Sequence, residues 1–199
     1  NEGMIKALFC ENGRREEEKE LELVSVPSNN PEVKHDIVAI YDDAGIPSIM
    51  HRFRKVSNKE LFGGSDKTNA AFIIGDEEYD EIFISVYENC EINGKPYSLP
   101  MQKPWTNITN DEAARACFSK GEGWHMMTKV EWAAIMLWCK KNGFMPYGNN
   151  NYGKDSRETL QQAIPATYGS GTDAGKIYHV LTGTGPLTWS HNKQLDGIW

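Results

Sequence analysis

Between Tyr147 and Asp155, the sequence YGNNNYGKD places three asparagines between two tyrosines in a short glycine-rich run. Its side chains are suited to three different roles. Tyr147, Asn149, Asn150 and Tyr152 could line a ligand surface, because tyrosine offers rigid contact area and asparagine offers adaptable hydrogen bonds. The amide oxygens could instead coordinate a hard cation such as calcium together with Asp155. In the third interpretation, the segment is a tight loop whose side chains satisfy its own backbone.

A second group of candidate contact residues lies near the end of the chain, in GPLTWSHNKQLDGIW. Trp189 could stack on a sugar ring or fill a pocket of a protein partner. The alternative for Trp189 is a place in the core, because the apolar Leu187 has the same strand parity. We predict a ligand-binding face on the loops that carry Tyr147, Asn149, Asn150, Tyr152, Trp189, His191 and Asn192.

The other side chains capable of catalysis are scattered along the chain. The four cysteines lack zinc-site spacing and form no CxxC. Cys117 and Cys139 lie in helical patterns, and we expect buried apolar side chains there rather than a disulfide, which favours synthesis in the reducing cytoplasm. His125, His179 and His191 belong to different predicted elements and lack metal-ligand spacing. We therefore predict no catalytic residue and no cofactor, with a structural calcium ion left as an open alternative.

Composition restricts the class of protein. The 199 residues carry a net charge of −7, which argues against a nucleic-acid-binding protein, since such proteins normally present a basic face. No apolar run approaches the roughly 20 residues of a membrane helix, so we predict no membrane insertion. A hydrophobic fraction of 39%, with 6 tryptophans and 8 tyrosines, is enough for a core.

A predicted helix precedes the asparagine-rich segment and must position it. Thr128 and Glu131 stand at the T-x-x-E spacing of a capping box, and Gly143 can take the left-handed position past the end. We predict a helix over 129–142. Because apolar residues occupy most of its faces, we expect burial on several sides, with Trp132 in the core. The residues at i, i+3, i+4, i+7 spacing are Trp132, Ile135, Met136 and Cys139.

Shorter helices are predicted on either side of this one. Thr109 and Glu112 form a second capping box, which predicts an amphipathic helix over 110–119. Residues 156–163 are predicted to form a third short helix that ends at Pro165.

Residues 1–78 have a mostly β pattern and contain no catalytic constellation. The sequence IVAIY is rich in β-branched residues, and the DDAG that follows it favours a turn into a hairpin. The predicted strands of this region cover residues 7–10, 21–26, 37–41 and 46–53.

The central helix also carries a family resemblance. GWHMMTKVEWAAIMLWCKKNG, followed by MPYGNNNYGKD, resembles the signature of formylglycine-generating-enzyme-type domains, also called the sulfatase-modifying-factor superfamily. Those domains read roughly R-L-P-T-E-A-E-W-E before a helix and P-W-G after it. Within that superfamily, the sequence most resembles the variable proteins of diversity-generating retroelements, which have a C-type-lectin fold and bind ligands. The residues that fill the two motifs are Met126, Met127, Thr128, Glu131, Trp132, Pro146, Tyr147 and Gly148.

The resemblance implies an α+β fold with two domains. The match to the family is best over 82–199. It implies a C-type-lectin-like domain over 79–199, with two helices and small antiparallel sheets, which follows the mostly β region 1–78. GPLTWSHNKQLDGIW is similar to the run that leads into D-L-x-G-N-V-W-E-W in the family. The resemblance therefore implies that the domain continues past Trp199, and that the diversified residues lie mainly in that C-terminal part.

The function implied is that of a ligand-binding display protein on a phage tail or a bacterial cell surface. Its expected partner is a cell-surface protein or glycan, and the sequence leaves homo-oligomer formation open. The alternative is an oxidase that modifies sulfatases, which needs a reactive cysteine pair near the C-terminus. No cysteine follows Cys139, so we expect no enzyme activity. A structural phage tail component is the weaker alternative.

Overall fold

The computed structural model describes the backbone of residues 7–10, and residues 37–160, 162–193 and 197–199 in full. The strand predicted over 21–26 lies outside the described residues. Within them, no helix is long and apolar enough to cross a membrane.

A five-stranded antiparallel sheet forms the centre of the molecule, with the strand order β2-β3-β6-β1-β9. The β1 strand pairs on one side with β6, where Phe9 lies opposite Phe83, and on the other with β9, where Phe9 lies opposite Trp124. Strands from both sides of residue 78 therefore share one sheet. The five strands are β1 (Ala7–Cys10), β2 (Ile37–Tyr41), β3 (Pro47–Arg54), β6 (Glu81–Ser85) and β9 (Trp124–Met126).

The described residues also form three small two-stranded sheets, each of them antiparallel. In the second of them, Asn93 and Gly94 connect the strands, and both have positive φ, as a tight type I′ hairpin requires. The pairs are β4 (Ile73–Ile74) with β5 (Glu77–Glu78), β7 (Cys90–Ile92) with β8 (Lys95–Tyr97), and β10 (Pro165–Tyr168) with β11 (Ile177–Val180).

Three α-helices are present in the described part of the chain: α1 (Asn58–Phe62), α2 (Asn110–Phe118) and α3 (Lys129–Lys141). Each begins with a complete capping box, at Ser57, Thr109 and Thr128 respectively. The predicted helices over 110–119 and 129–142 are confirmed to within one residue. Short 3-10 helices cover Ala70–Phe72, Gly171–Asp173 and Leu187–Trp189.

The helices pack on opposite faces of the sheet, because successive residues of a strand point to opposite sides. In β6, Ile82 and Ile84 belong to a core cluster with Ile135 and Cys139 of α3. Phe83 points the other way, into a second cluster with Cys117 of α2. The fold is thus a mixed α and β structure in three layers, with the sheet between α3 and α2.

Two predictions about helices are wrong. Trp132 is 53% exposed, because α3 meets the sheet with only one face, which carries Ala134, Ile135 and Cys139. Residues 156–160 and 162–163 contain no helix. The segment forms turns instead, and Glu158 bonds Thr188 and Trp189, which are tertiary partners that no local helix signal contains.

Candidate functional site

The asparagine-rich loop folds on itself. The Oδ1 atom of Asn149 accepts the backbone N–H of Gly153 at 2.6 Å, and Oδ1 of Asn150 accepts that of Ser156 at 2.8 Å. The Nδ2 atom of Asn150 donates to Asp155 at 2.6 Å. These bonds match the third of the three sequence interpretations, in which the side chains satisfy the loop's own backbone. Asn149 and Asn150 nevertheless remain exposed at the surface.

A buried carboxylate anchors this loop. Asp155 is completely buried and receives the Arg157 guanidinium, with Nε and Nη2 each 2.7 Å from a carboxylate oxygen. This ion pair holds the pKa of Asp155 well below its usual range. The guanidinium also lies 3.5 Å from the centre of the Tyr147 ring, so one face of that half-buried ring is covered. Of the oxygens that could coordinate calcium, those of Asp155 are therefore bonded to Arg157 and Asn150, and the amide oxygens of Asn149 and Asn150 accept backbone N–H groups.

Glu158 ties the loop to the segment that carries Trp189. One carboxylate oxygen accepts the hydroxyl of Thr188, and the other accepts Nε1–H of Trp189 at 3.0 Å. The Trp189 ring is buried in a small core with Val180. The structure thus places Trp189 in the core, which was the alternative assignment for this residue.

His191 faces the interior rather than the loop surface. Its buried ring stacks on Trp138 of α3, with centroids 4.3 Å apart, and meets the His51 ring edge-on at 5.3 Å. Its Nδ1 atom accepts the backbone N–H of Ile198 at 2.7 Å, so the neutral ring carries its proton on Nε2. Asn192, the next residue, is exposed.

Tyr152 lies at the surface, 43% exposed, beside an ion pair. The Lys176 ammonium is 2.6 Å from the Asp173 carboxylate and 4.7 Å from the centre of the Tyr152 ring. Gly153 follows with φ +91°, and a Cβ there would lie 2.8 Å from Cδ1 of Ile177. The turn that presents Tyr152 therefore packs against β11.

Sequence reasoning missed two tyrosines near this turn. Tyr168 is 62% exposed and pairs with Ile177 across the β10–β11 hairpin, and Tyr178 is 49% exposed. The sequence contained a signal for these residues. Two short runs rich in β-branched and aromatic residues, ATY and IYHV, lie on either side of a glycine-rich segment. That pattern indicates a hairpin. We refer to Tyr152, Tyr168 and Tyr178 as the tyrosine surface.

The arrangement presents groups that can contact a ligand. Its exposed groups are tyrosine rings, asparagine amides and a lysine–aspartate pair, which can stack and hydrogen-bond. Across the ranges that the structure describes, no group of three or more His, Cys, Asp or Glu side chains is placed to hold a metal ion. No protein-family model matches the chain, and no curated protein sequence matches it either.

Proposed function

We propose that this chain is a non-enzymatic recognition protein whose ligand contacts the tyrosine surface and the asparagine loop beside it. The observation that carries the proposal is the exposure of Tyr152, Tyr168 and Tyr178 around Ile177. Tyr168 pairs with Ile177, Tyr178 follows it in β11, and Tyr152 precedes Gly153, which packs against the Ile177 side chain. Tyrosine contributes large contact area with little loss of conformational entropy, which is why it is enriched in binding surfaces. The expected ligand is a protein or glycan on a cell surface.

Rigidity of the supporting loop adds to this proposal. Binding residues work best when their rotamers and backbone are fixed by the layer beneath them. Here the ion pair between the buried Asp155 and the exposed Arg157 fixes the asparagine loop, and Glu158 connects that loop to the core through Trp189. A surface of this kind would present its tyrosines without a large ordering cost on binding.

For the finer fold and the biological setting, we propose a C-type-lectin-like domain of the formylglycine-generating-enzyme type, related to retroelement variable proteins. Two features support this. The capping box at Thr128 opens a helix, and Pro146 and Gly148 follow that helix, in the order that the family motifs have. A place on a phage tail or a bacterial surface follows from the same resemblance.

The thiols support a role without catalysis. Cys90, Cys117 and Cys139 are all buried. Burial raises the pKa of Cys117 to about 11 and also raises that of Cys90, so neither thiol ionises readily at neutral pH. Reactive cysteines are normally accessible and have a lowered pKa.

The test compares the intact protein with a Tyr152→Ala, Tyr168→Ala, Tyr178→Ala triple variant. Both are labelled and incubated with a panel of bacterial strains, and bound protein is measured by flow cytometry. We expect at least about a tenfold loss of binding to any strain that the unaltered protein recognises, because buried interface tyrosines often contribute 2 kcal/mol or more in total. Periodate or protease treatment of the cells then separates glycan from protein ligands.

The matched control is Tyr41→Ala, which removes a comparably exposed tyrosine from β2. It should bind cells as the unaltered protein does. Unchanged binding by the triple variant, with its circular dichroism spectrum intact, would overturn the proposed surface. Copper-dependent oxidation of a cysteine peptide by the protein would overturn the non-enzymatic assignment.

A further inference from the structure

A cavity of about 360 Å³ lies between α1 and α3, away from the tyrosine surface. Pockets that hold small molecules have volumes of roughly 300–1,000 Å³, so this one has room for a small ligand. Its lining consists of Glu60, Leu61, Phe62, Gly63, Leu137, Lys140 and Lys141.

One wall of the cavity is apolar and held in place. The Phe62 ring is 52% exposed and lines the cavity. A Cβ at Gly64 would lie 2.6 Å from Cε2 of Phe62, so the glycine is what lets the ring lie against the loop. Leu61 and Leu137 complete the apolar lining. An apolar ligand body would therefore meet a surface that already exists.

The charged residues of the lining are positive in sum. The Oε2 atom of Glu60 accepts the backbone N–H and the hydroxyl of Ser57, each at 2.8 Å, as part of the α1 cap. The Ser57 bonds lower the pKa of Glu60, and the positive charge of the nearby Lys141 lowers it further. Glu60 and Lys141 therefore interact electrostatically. Lys140 has no acidic partner among the residues described in the structure. One ammonium at the cavity is thus left for an external anion.

We propose that the cavity between α1 and α3 binds a small organic anion with an apolar body, such as a medium-chain or aryl carboxylate. The apolar part lies against Phe62 and Leu137, where it leaves water. The carboxylate pairs with Lys140, which acts as a flexible point charge. This site is separate from the tyrosine surface, so the two proposals stand or fall independently.

The experiment measures binding of octanoate and phenylacetate to the whole protein by ligand-observed NMR titration. We expect saturable binding of at least one carboxylate at a Kd on the order of 1 mM, as is usual for ligands of this size. Phenylacetamide, which has the same body without the charge, should bind more weakly than phenylacetate. Added salt should weaken carboxylate binding, because it screens an exposed charge.

Three variants assign the site. Lys140→Gln should weaken carboxylate binding about three- to fivefold, the effect of one exposed ion pair. Leu137→Trp should abolish binding by filling the cavity. The control Lys129→Gln removes a lysine from the other end of α3 and should leave binding unchanged. Absence of saturable binding up to about tenfold the expected Kd, equal binding of the amide, or unchanged binding by Lys140→Gln would each overturn the proposal.

Discussion

The ammonium of Lys120 lies 3.5 Å from the centre of the Trp124 ring, in the interior of the protein. It donates a hydrogen bond to Ser48 at 2.7 Å and lies 4.3 Å from the centre of the Tyr97 ring. The Tyr97 hydroxyl in turn donates to the buried Asp42 carboxylate. A lysine just after α2 is thereby fixed to the central sheet and to β8.

Lys120 makes stability depend on pH in a defined direction. Burial lowers its pKa to about 7, with Asp42 opposing the shift, whereas in the unfolded chain the pKa is about 10.4. Between these values the unfolded chain binds more protons than the folded one, so stability rises with pH. From pH 7.0 to 8.5, the free energy of unfolding should increase by about 1–2 kcal/mol relative to Lys120→Met. Urea denaturation measures both proteins; parallel pH profiles would contradict the prediction.

Two tryptophans should differ sharply in their effect on stability. Trp124 is fully buried in the second core cluster, and Trp124→Ala should cost about 3–5 kcal/mol through the cavity it leaves. Trp132→Ala should cost less than about 1 kcal/mol, because that ring is largely exposed. Chemical denaturation of both variants measures the difference. Similar losses would mean that Trp132 packs against more of the protein than the structure shows.

The His125–Glu131 pair joins β9 to α3 and should contribute most in mild acid. Nε2 of His125 lies 3.0 Å from a Glu131 carboxylate oxygen. Burial lowers the pKa of His125, but the hydrogen bond to Glu131, the negative charge of Glu131 and the bond to the Gly123 carbonyl together outweigh it, so the net pKa is raised. A raised pKa adds stability below the unfolded value of about 6.5 and loses it as pH rises through the folded value. His125→Gln should therefore cost about 1–2 kcal/mol at pH 5.5 and less at pH 8. A larger cost at pH 8 in thermal denaturation would refute this.

Gly153→Ala should be more damaging than Gly175→Ala, although both glycines have positive φ. At Gly175 a Cβ would meet nothing within 4 Å, so only the backbone cost of about 1 kcal/mol applies. At Gly153 the Cβ would also clash with Ile177, which must then move. We expect an additional loss of about 1–2 kcal/mol there. Equal melting temperatures for the two variants would show that Ile177 in β11 can move away from the added Cβ with no loss of stability.

The capping box at Thr128 is local, and its effect should be modest. Glu131 accepts the Thr128 backbone N–H at 2.6 Å through Oε2, so the glutamate half of the box survives loss of the hydroxyl. Thr128→Ala should cost about 1 kcal/mol. Equilibrium denaturation at pH 7 measures it, and a loss as large as that of Trp124→Ala would contradict the assignment.

Local signals predicted α2 and α3 well. A capping box depends on four consecutive residues, so Thr109 with Glu112 and Thr128 with Glu131 marked both helix starts without any knowledge of the fold. The failures have a different origin. Spacing groups residues onto helix faces, but α3 has apolar residues all round, and only the position of the sheet decides that Ile135 is buried and Trp132 is not.

The candidate site was predictable only in part for the same reason. Tyr152 is exposed, whereas Trp189 and His191 are buried and contact residues distant in sequence, Glu158 and Trp138. The residues after Asp155 form turns where a helix is predicted. No pattern within a window of ten or so residues contains such partners for Trp189 or His191.

The position of β1 between β6 and β9 has a consequence for how the protein is made. In the described chain, β9 has no strand neighbour other than β1. Leu8 of β1 pairs with His125 of β9, so two segments that are far apart in the sequence must come together. On the ribosome, the sheet cannot close until residues 124–126 have left the exit tunnel, and contacts this distant in sequence form slowly. A recombinant fragment that begins at residue 79 would expose β6 on both edges and leave β9 alone, inviting strand exchange between copies.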